Sequence, residues 1–190
     1  MTLKTLPGTA LTLIEGQKNS YRERIEPLTA STGGLMLSQV EAICGIPAST
    51  IQNWIKRGWV PQTESKRYNT RQIYRIILVN LLHGGMSLDQ IAEVMAYVNG
   101  DVDDVSDDIV ADGDLLEWFY QIITELESEK TADVERMSCV IDAHLIAYKG
   151  NKSNKKKLER ALLIMTTSYI AGEMKRVSNR LHAEIVKELY

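Results

Sequence analysis

Cysteine is scarce in this chain: Cys44 and Cys139 are the only two in 190 residues, and neither sits in a CxxC pair. A disulfide framework and a thiolate metal site are therefore excluded, and both residues read as buried thiols. Long apolar runs are missing too. None approaches the ~18 residues that a membrane span requires, and the opening "MTLKTLPGTALTLIEGQK" has too broken an apolar centre for a secretory signal. The expectation is a soluble cytoplasmic protein. The three histidines, His83, His144 and His182, are scattered. No HExxH, GxSxG, GxGxxG or P-loop occurs, so no catalytic residue, metal or cofactor is assigned and the chain is not read as an enzyme.

What is present is a core-forming composition, 44% hydrophobic, with charge divided along the chain. The net charge of −3 argues against a nucleic-acid binder when taken as one number, because such proteins use Lys and Arg to replace phosphate counterions. The average conceals a partition. Residues 1–99 hold ten Lys/Arg against seven Asp/Glu, or +3, which leaves twelve against eighteen, or −6, for residues 100–190. Between Gln52 and Arg75 the bases Lys56, Arg57, Lys66, Arg67, Arg71 and Arg75 face only Glu64, a net +5.

Punctuation divides the chain into four parts. Residues 1–36 mix Pro7, Gly8, Gly16, Pro27 and Gly33-Gly34 with polar residues and read as an arm with at most a short helix around Gln17 to Ile25. Order is expected from "LSQVEAICG", where Ser38 and Glu41 have capping-box spacing and Leu37, Val40 and Cys44 form an apolar stripe. Gly45 then ends this helix and Pro47 leads into a second over residues 48–57, giving two short helices about a tight turn. In that second helix Ile51, Trp54 and Ile55 repeat at helical spacing, while Ser49, Gln52, Asn53 and Lys56 share the opposite side.

Asn69 with Gln72, and Ser87 with Gln90, mark the starts of two further helices. Beyond them "GDVDDVSDDIVADGD" is read as an acidic linker over residues 100–114, separating a first domain at 37–99 from a helical region at 115–190. Asp114 and Glu117 are expected to cap the helix that holds Trp118, Phe119 and Tyr120, three residues read as core in preference to ligand-pocket lining. Another helix is expected from about Ala132 to Tyr148. The last, from about Lys155 to Tyr190, keeps one face apolar through Leu163, Ile170, Met174, Val177, Leu181 and Ile185. At 1.5 Å per residue it would extend ~50 Å, more than so small a domain needs for its own core, so it is expected to have a partner.

The order "LSQVEAICGIPASTIQNWIKRGWVP", a short loop, then "KRYNTRQIYRIILVNLLHGGMSLDQIAEVM" resembles the winged helix-turn-helix domain of the MerR family of transcription regulators, over about residues 37–98. The resemblance is carried by the Gly-Ile turn, Thr50-Ile51 followed by Trp54, the Gly58 to Pro61 exit, Arg67-Tyr68 at the end of the wing, and "GGMSLDQI". It implies a mainly α fold, a MerR-like winged helix-turn-helix followed by a helical C-terminal region, as in an uncharacterised bacterial subfamily with an all-helical extension. Gln52 stands where the family usually has Arg, and Asn53 where it has an aromatic, which implies a different base preference.

On that resemblance the helix at 48–57 enters the major groove of double-stranded DNA, with Gln52 and Asn53 as base readers and Ser49 able to serve either bases or phosphates. Lys56, Arg57, Lys66, Arg67, Tyr68 and Arg71 are expected to hold phosphates. The long last helix implies a homodimer, since two reading helices need a fixed spacing. The helical region leaves room for an unidentified small-molecule effector. The alternative is an architectural or protein-interaction helix-turn-helix without sequence-specific regulation. A calcium loop in the acidic segment is disfavoured, because Val105 and Ser106 occupy the places that need an oxygen ligand and a glycine. The segment is read as a solvated linker whose charge keeps this part away from phosphate, in preference to a segment that folds over the basic patch and competes with DNA. "KGNKSNKKKLER" is read as an exposed turn in preference to a second DNA contact.

Overall fold

The computed structural model describes residues 5–15, 19–63 and 66–189. The chain is mainly α, with eight α-helices and one two-stranded ladder among the described residues. In chain order these are α1 (Tyr21–Thr32), β1 (Leu35–Met36), α2 (Leu37–Cys44), α3 (Ala48–Lys56), β2 (Arg67–Tyr68), α4 (Thr70–Leu82), α5 (Leu88–Asn99), α6 (Asp112–Glu129), α7 (Val134–His144) and α8 (Lys152–Leu189). A short 3-10 turn, Leu145–Ala147, follows α7.

Side-chain caps fix most boundaries. Asn69 accepts from the Gln72 backbone N–H at 2.9 Å while Gln72 Oε1 accepts from that of Asn69 at 2.8 Å, and Ser87 with Gln90 repeats the arrangement at α5. Gly45, at φ 66°, ends α2 in the left-handed conformation that the tight turn into α3 requires. Two expected caps fail. Helix α2 begins at Leu37, and it is Gln39 that accepts the Met36 N–H, at 2.8 Å, in place of a Ser38–Glu41 box. Helix α6 begins at Asp112, ahead of the Asp114–Glu117 pair, and Glu117 instead accepts from Ser20 Oγ and the Arg22 N–H, both at 2.9 Å, at the start of α1.

The arm is built into the core. The helix expected near Gln17 forms at Tyr21, with Gln17 and Lys18 outside the described residues, and Leu6, Tyr21 and Ile25 are fully buried. Tyr21 donates its hydroxyl to the Pro7 carbonyl at 2.7 Å. Leu35 pairs with Tyr68 and Met36 with Arg67, antiparallel, which closes the loop between α3 and α4 against residues before α2. One apolar cluster runs from Leu6 through the nearly all-buried α4 to Leu116, Phe119, Leu162 and Tyr169. Trp118, Phe119 and Tyr120 make edge-on ring contacts with Tyr148, Tyr169 and Tyr21. The first, second and last parts of the sequence therefore share one core, because α4 is buried on nearly every side, Gln72 and Arg75 included, and has neighbours all round.

Helix α8 starts three residues before its expected beginning, capped by Asn151, which accepts from the Asn154 N–H at 2.9 Å. Its 38 residues would span about 57 Å. Only its first part is buried, the last such residue being Gly172, and Met174, Leu181, Ile185 and Leu189 are exposed. Gly172 passes directly over the α4–α5 turn: a Cβ added at Gly85 would lie 1.7 Å from the Ser168 carbonyl oxygen, and one at Gly172 2.9 Å from the Gly84 carbonyl carbon. Both cysteines are free. Cys44 is buried and its thiol is pushed up to about 12 by burial, whereas Cys139, expected inside, is exposed on α7. Among the described residues no helix is long and apolar enough to cross a membrane.

The helix crossing makes a stability prediction. Gly85→Ala should remove about 3 kcal/mol, since backbone on α8 must move. Gly45→Ala meets no atom within 4 Å and should lose only about 1 kcal/mol through its positive φ. Urea midpoints of the two variants test the difference; equal losses would contradict a tight α8 crossing.

Candidate nucleic-acid interface

Helix α3 divides cleanly by polarity. Ile51, Trp54 and Ile55 are buried, Trp54 against the His83 ring with centroids 6.2 Å apart, which leaves Ser49, Gln52, Asn53 and Lys56 exposed. Packing one stripe of a nine-residue helix fixes the direction of the other. Arg57 follows at the helix end, exposed, its guanidinium 5.3 Å above the half-buried Trp59 ring. That stacking holds a cation at the exit of α3 without neutralising it.

Beyond Trp59 the chain turns through Val60 and Pro61, both buried, and returns along β2. Gln72, itself buried, donates to the carbonyls of Pro61 and Gln62 at 3.3 and 2.7 Å and so ties the loop root to α4. Lys66 is exposed, and with Gln52, Ser38 and Glu41 it borders a groove of about 580 Å³ between α2, α3 and the loop. Arg67 is exposed and donates to the Gly34 carbonyl at 3.0 Å.

Two of the residues expected at phosphates are placed otherwise. Tyr68 is 5% exposed, facing inward from the ladder, and burial raises its hydroxyl pKa. A side chain at an edge alternates inward and outward, and Arg67 has the outward place. Arg71 is half-buried and faces carboxylates: its Nε lies 3.4 Å from Asp112 and its Nη2 3.7 Å from Asp108. Arg75 is buried and bidentate on Asp112, with Nη2 to Oδ1 at 2.9 Å and Nε to Oδ2 at 3.2 Å. Asn99 donates to the same carboxylate at 3.2 Å.

The +5 stretch thus separates into two sets. Lys56, Arg57, Lys66 and Arg67 reach the surface, while Arg71 and Arg75 are turned toward acids more than thirty residues downstream. The sequence count missed this because the neutralising groups come from the segment read as a solvated linker. That segment is braced against the fold. Asp103 accepts the Gln62 backbone N–H at 3.1 Å, the Ile109 N–H donates to Val98 at 3.1 Å, and Val110 is buried. Among the described residues no group of three or more metal-ligating side chains gathers.

Residues 34–120 match a family described as a domain of unknown function (DUF1836), somewhat under half of the chain. Neither the curated proteins nor the solved structures contain a match. The matched interval runs from β1 through the acidic segment into α6, so it contains the exposed face of α3 together with Asp103, Asp108 and Asp112.

If the polar side of α3 has no structural duty, its truncation should leave stability alone. Gln52→Ala is expected within about 0.5 kcal/mol of the wild type, and Trp54→Ala about 3–5 kcal/mol below it, both by chemical denaturation. A large loss from Gln52→Ala would make that face a packing surface.

Proposed function

We propose that this chain is a homodimeric, sequence-specific DNA-binding transcription regulator of MerR-like winged helix-turn-helix type. Helix α3 reads the major groove, and the 57–66 loop acts as the wing. The observation that carries the proposal is the amide-bearing face of α3, Gln52 and Asn53 with Ser49, exposed beside the surface cations Lys56, Arg57, Lys66 and Arg67. Gln and Asn can bond the N6 and N7 of adenine bidentately, which gives base selection, and the four cations supply affinity for any duplex. The sequence resemblance to the MerR domain supports the same assignment. Tyr68 and Arg71 are left out of the contact set, Tyr68 as packing and Arg71 as an internally paired group.

Support for a dimer lies in the end of α8. Met174, Leu181, Ile185 and Leu189 are all more than half exposed, and such a stripe gains by pairing with another helix. Arg176 and Arg180 precede Glu184 and Glu188 along this end. A second copy laid antiparallel would set base against acid, and two reading helices at fixed spacing would follow.

Selection from a random duplex pool tests the function. A regulator enriches a palindrome, an architectural protein enriches only a shape bias, and a protein-contact module enriches nothing. On the selected site Gln52→Ala should lose about 1–3 kcal/mol of discrimination at one base pair, and Lys56→Ala should weaken all sequences and lower the salt slope by about one unit. Equal losses on every sequence from both variants would remove the base-reading role. Separately, Leu181→Glu/Ile185→Glu should sediment as a folded monomer where the wild type sediments as a dimer; a monomeric wild type at micromolar concentration would refute dimerisation.

A further inference from the structure

The segment between α5 and α6 is unusual in sign. Asp101, Asp103, Asp104, Asp107 and Asp108 give residues 101–108 a charge of −5, with no Lys or Arg. This equals in size, and opposes, the +5 of the stretch from Gln52 to Arg75. The segment forms a strap with both ends fixed. Gly100, at φ 53°, turns it out of α5 beside the Asp107 carboxylate, and Val110 and the Ile109–Val98 hydrogen bond return it to the core. Tyr148 donates to the Ile109 carbonyl at 2.9 Å and pins the far end from outside. Internal bonds shape the crest: Asp101 accepts from the Asp103 N–H at 2.9 Å and Asp104 from the Ser106 N–H at 2.8 Å.

The crest leans on the cationic side of the wing. Asp103 holds the Gln62 N–H at the wing root, and Asp103, Arg67, Asn69 and Arg71 all line one open pocket of about 500 Å³. Asp108 faces Arg71 from the other flank. The strap's grip on Arg71 is poor in hydrogen bonds. Its one ion contact, Asp108 at 3.7 Å, and the contact of Arg71 with Asp112 of α6, at 3.4 Å, are both longer than the 2.7–2.9 Å of a charge-assisted bond. Arg71 Nε and Nη2 and Asp108 Oδ1 are buried with no hydrogen-bond partner among the described residues. Desolvation, the largest influence on Asp108, raises its pKa, with Arg71 opposing. The pair is held by charge, and its donors are left for an acceptor with better geometry.

We propose that residues 101–108 are an internal competitor for DNA phosphates, an acidic strap whose carboxylates at Asp103 and Asp108 occupy the cationic ground between the wing and the start of α4 and lower the affinity of the resting protein for duplex. This rests on the DNA-binding function proposed above. A phosphate brought to the wing meets the strap's negative charge first. Binding either displaces the crest or proceeds against it, and Arg71 joins the contact set only once the strap lifts. The ends at Ile109 and Val110 stay packed while the exposed crest moves. Affinity is thereby set below what the four surface cations alone would give, and any event that draws the strap away raises it.

Three full-length proteins test this: the wild type, Asp103→Asn/Asp108→Asn, and the control Glu135→Gln/Asp142→Asn. The control makes the same charge change at exposed positions on α7. Asn keeps the oxygen that accepts from Gln62, so only charge is altered at the wing root. Each protein is eluted from a heparin column by salt and titrated with random-sequence duplex. The strap variant should elute at higher salt than the control and bind duplex about five- to tenfold tighter than the control at low ionic strength, with the gap closing as salt rises. Elution with or before the control, in a variant whose circular dichroism is native, overturns the competitor role. Should the double variant misfold, Asp103→Asn alone retains both carboxylates facing Arg71 and must still shift elution upward; no shift overturns the proposal. The two hypotheses fail separately. Later heparin elution of the strap variant with no duplex binding by any protein would sink the DNA function, and with it DNA as what the strap competes with, whereas duplex binding through Gln52 and Lys56 with no heparin shift would sink the strap alone.

Discussion

A single buried carboxylate organises the centre of the molecule. Asp112 lies at the first turn of α6, accepts a hydrogen bond from Arg75 Nε of α4 with Arg75 Nη2 in ion contact at 2.9 Å, and accepts a second hydrogen bond from Asn99 at the end of α5. Three helices meet on one side chain. Removing one partner of such a pair strands the other charge away from water, which costs about 3–5 kcal/mol. The pair is therefore weak as a source of net stability and strong as a constraint on geometry, because few arrangements of α4, α5 and α6 satisfy both groups at once. It also fixes where the acidic segment must end. With Gly100 at one side and Asp112 at the other, the intervening eleven residues can only loop outward past Arg71 and the wing root.

The long helix follows from a different constraint. Gly84 and Gly85 on one side and Gly172 on the other let two backbones approach more closely than any side chain permits, and α8 is seated there. Beyond that crossing the helix continues as an end whose apolar residues Met174, Leu181, Ile185 and Leu189 are exposed. The seat also brings Tyr169 of α8 onto Phe119 of α6, edge to face at 5.8 Å. The first part of α8, α6 and the α4–α5 turn are thus packed directly on one another.

Much of this was legible in the residues. Reciprocal caps at Asn69–Gln72 and Ser87–Gln90, the glycine turn at Gly45 and the apolar spacing of α3 and α8 are local signals, and local hydrogen bonding obeyed them. The failures share a cause. Ser38–Glu41 and Asp114–Glu117 have the right spacing but not the right phase: Gln39 and Ala111 take the helix starts, and Glu117 is drawn to the N-terminus of α1, 95 residues away in sequence. Tyr68 turned inward because β1, which no local pattern announced, claimed its strand. Cys139 came out because α7 packs through Met137, Val140 and Ile141, and its position falls on the other side of that stripe. Nothing within a window of a few residues encodes such choices.

The candidate interface shows why charge must be counted on the surface and not along the chain. Six bases in one stretch invite the inference of six phosphate contacts, yet a guanidinium already desolvated beside a carboxylate gains little from a phosphate that it can reach only by losing that partner. Arg75 is in that position, buried with its Nε hydrogen-bonded to Asp112 at 3.2 Å and its Nη2 2.9 Å from the same carboxylate. Arg71 is intermediate, near two acids but well bonded to neither. A residue held in this way can change partner when the potential around it changes. The internally facing bases Arg71 and Arg75 therefore share one place, the start of α4, and both lie beside the buried carboxylate of Asp112.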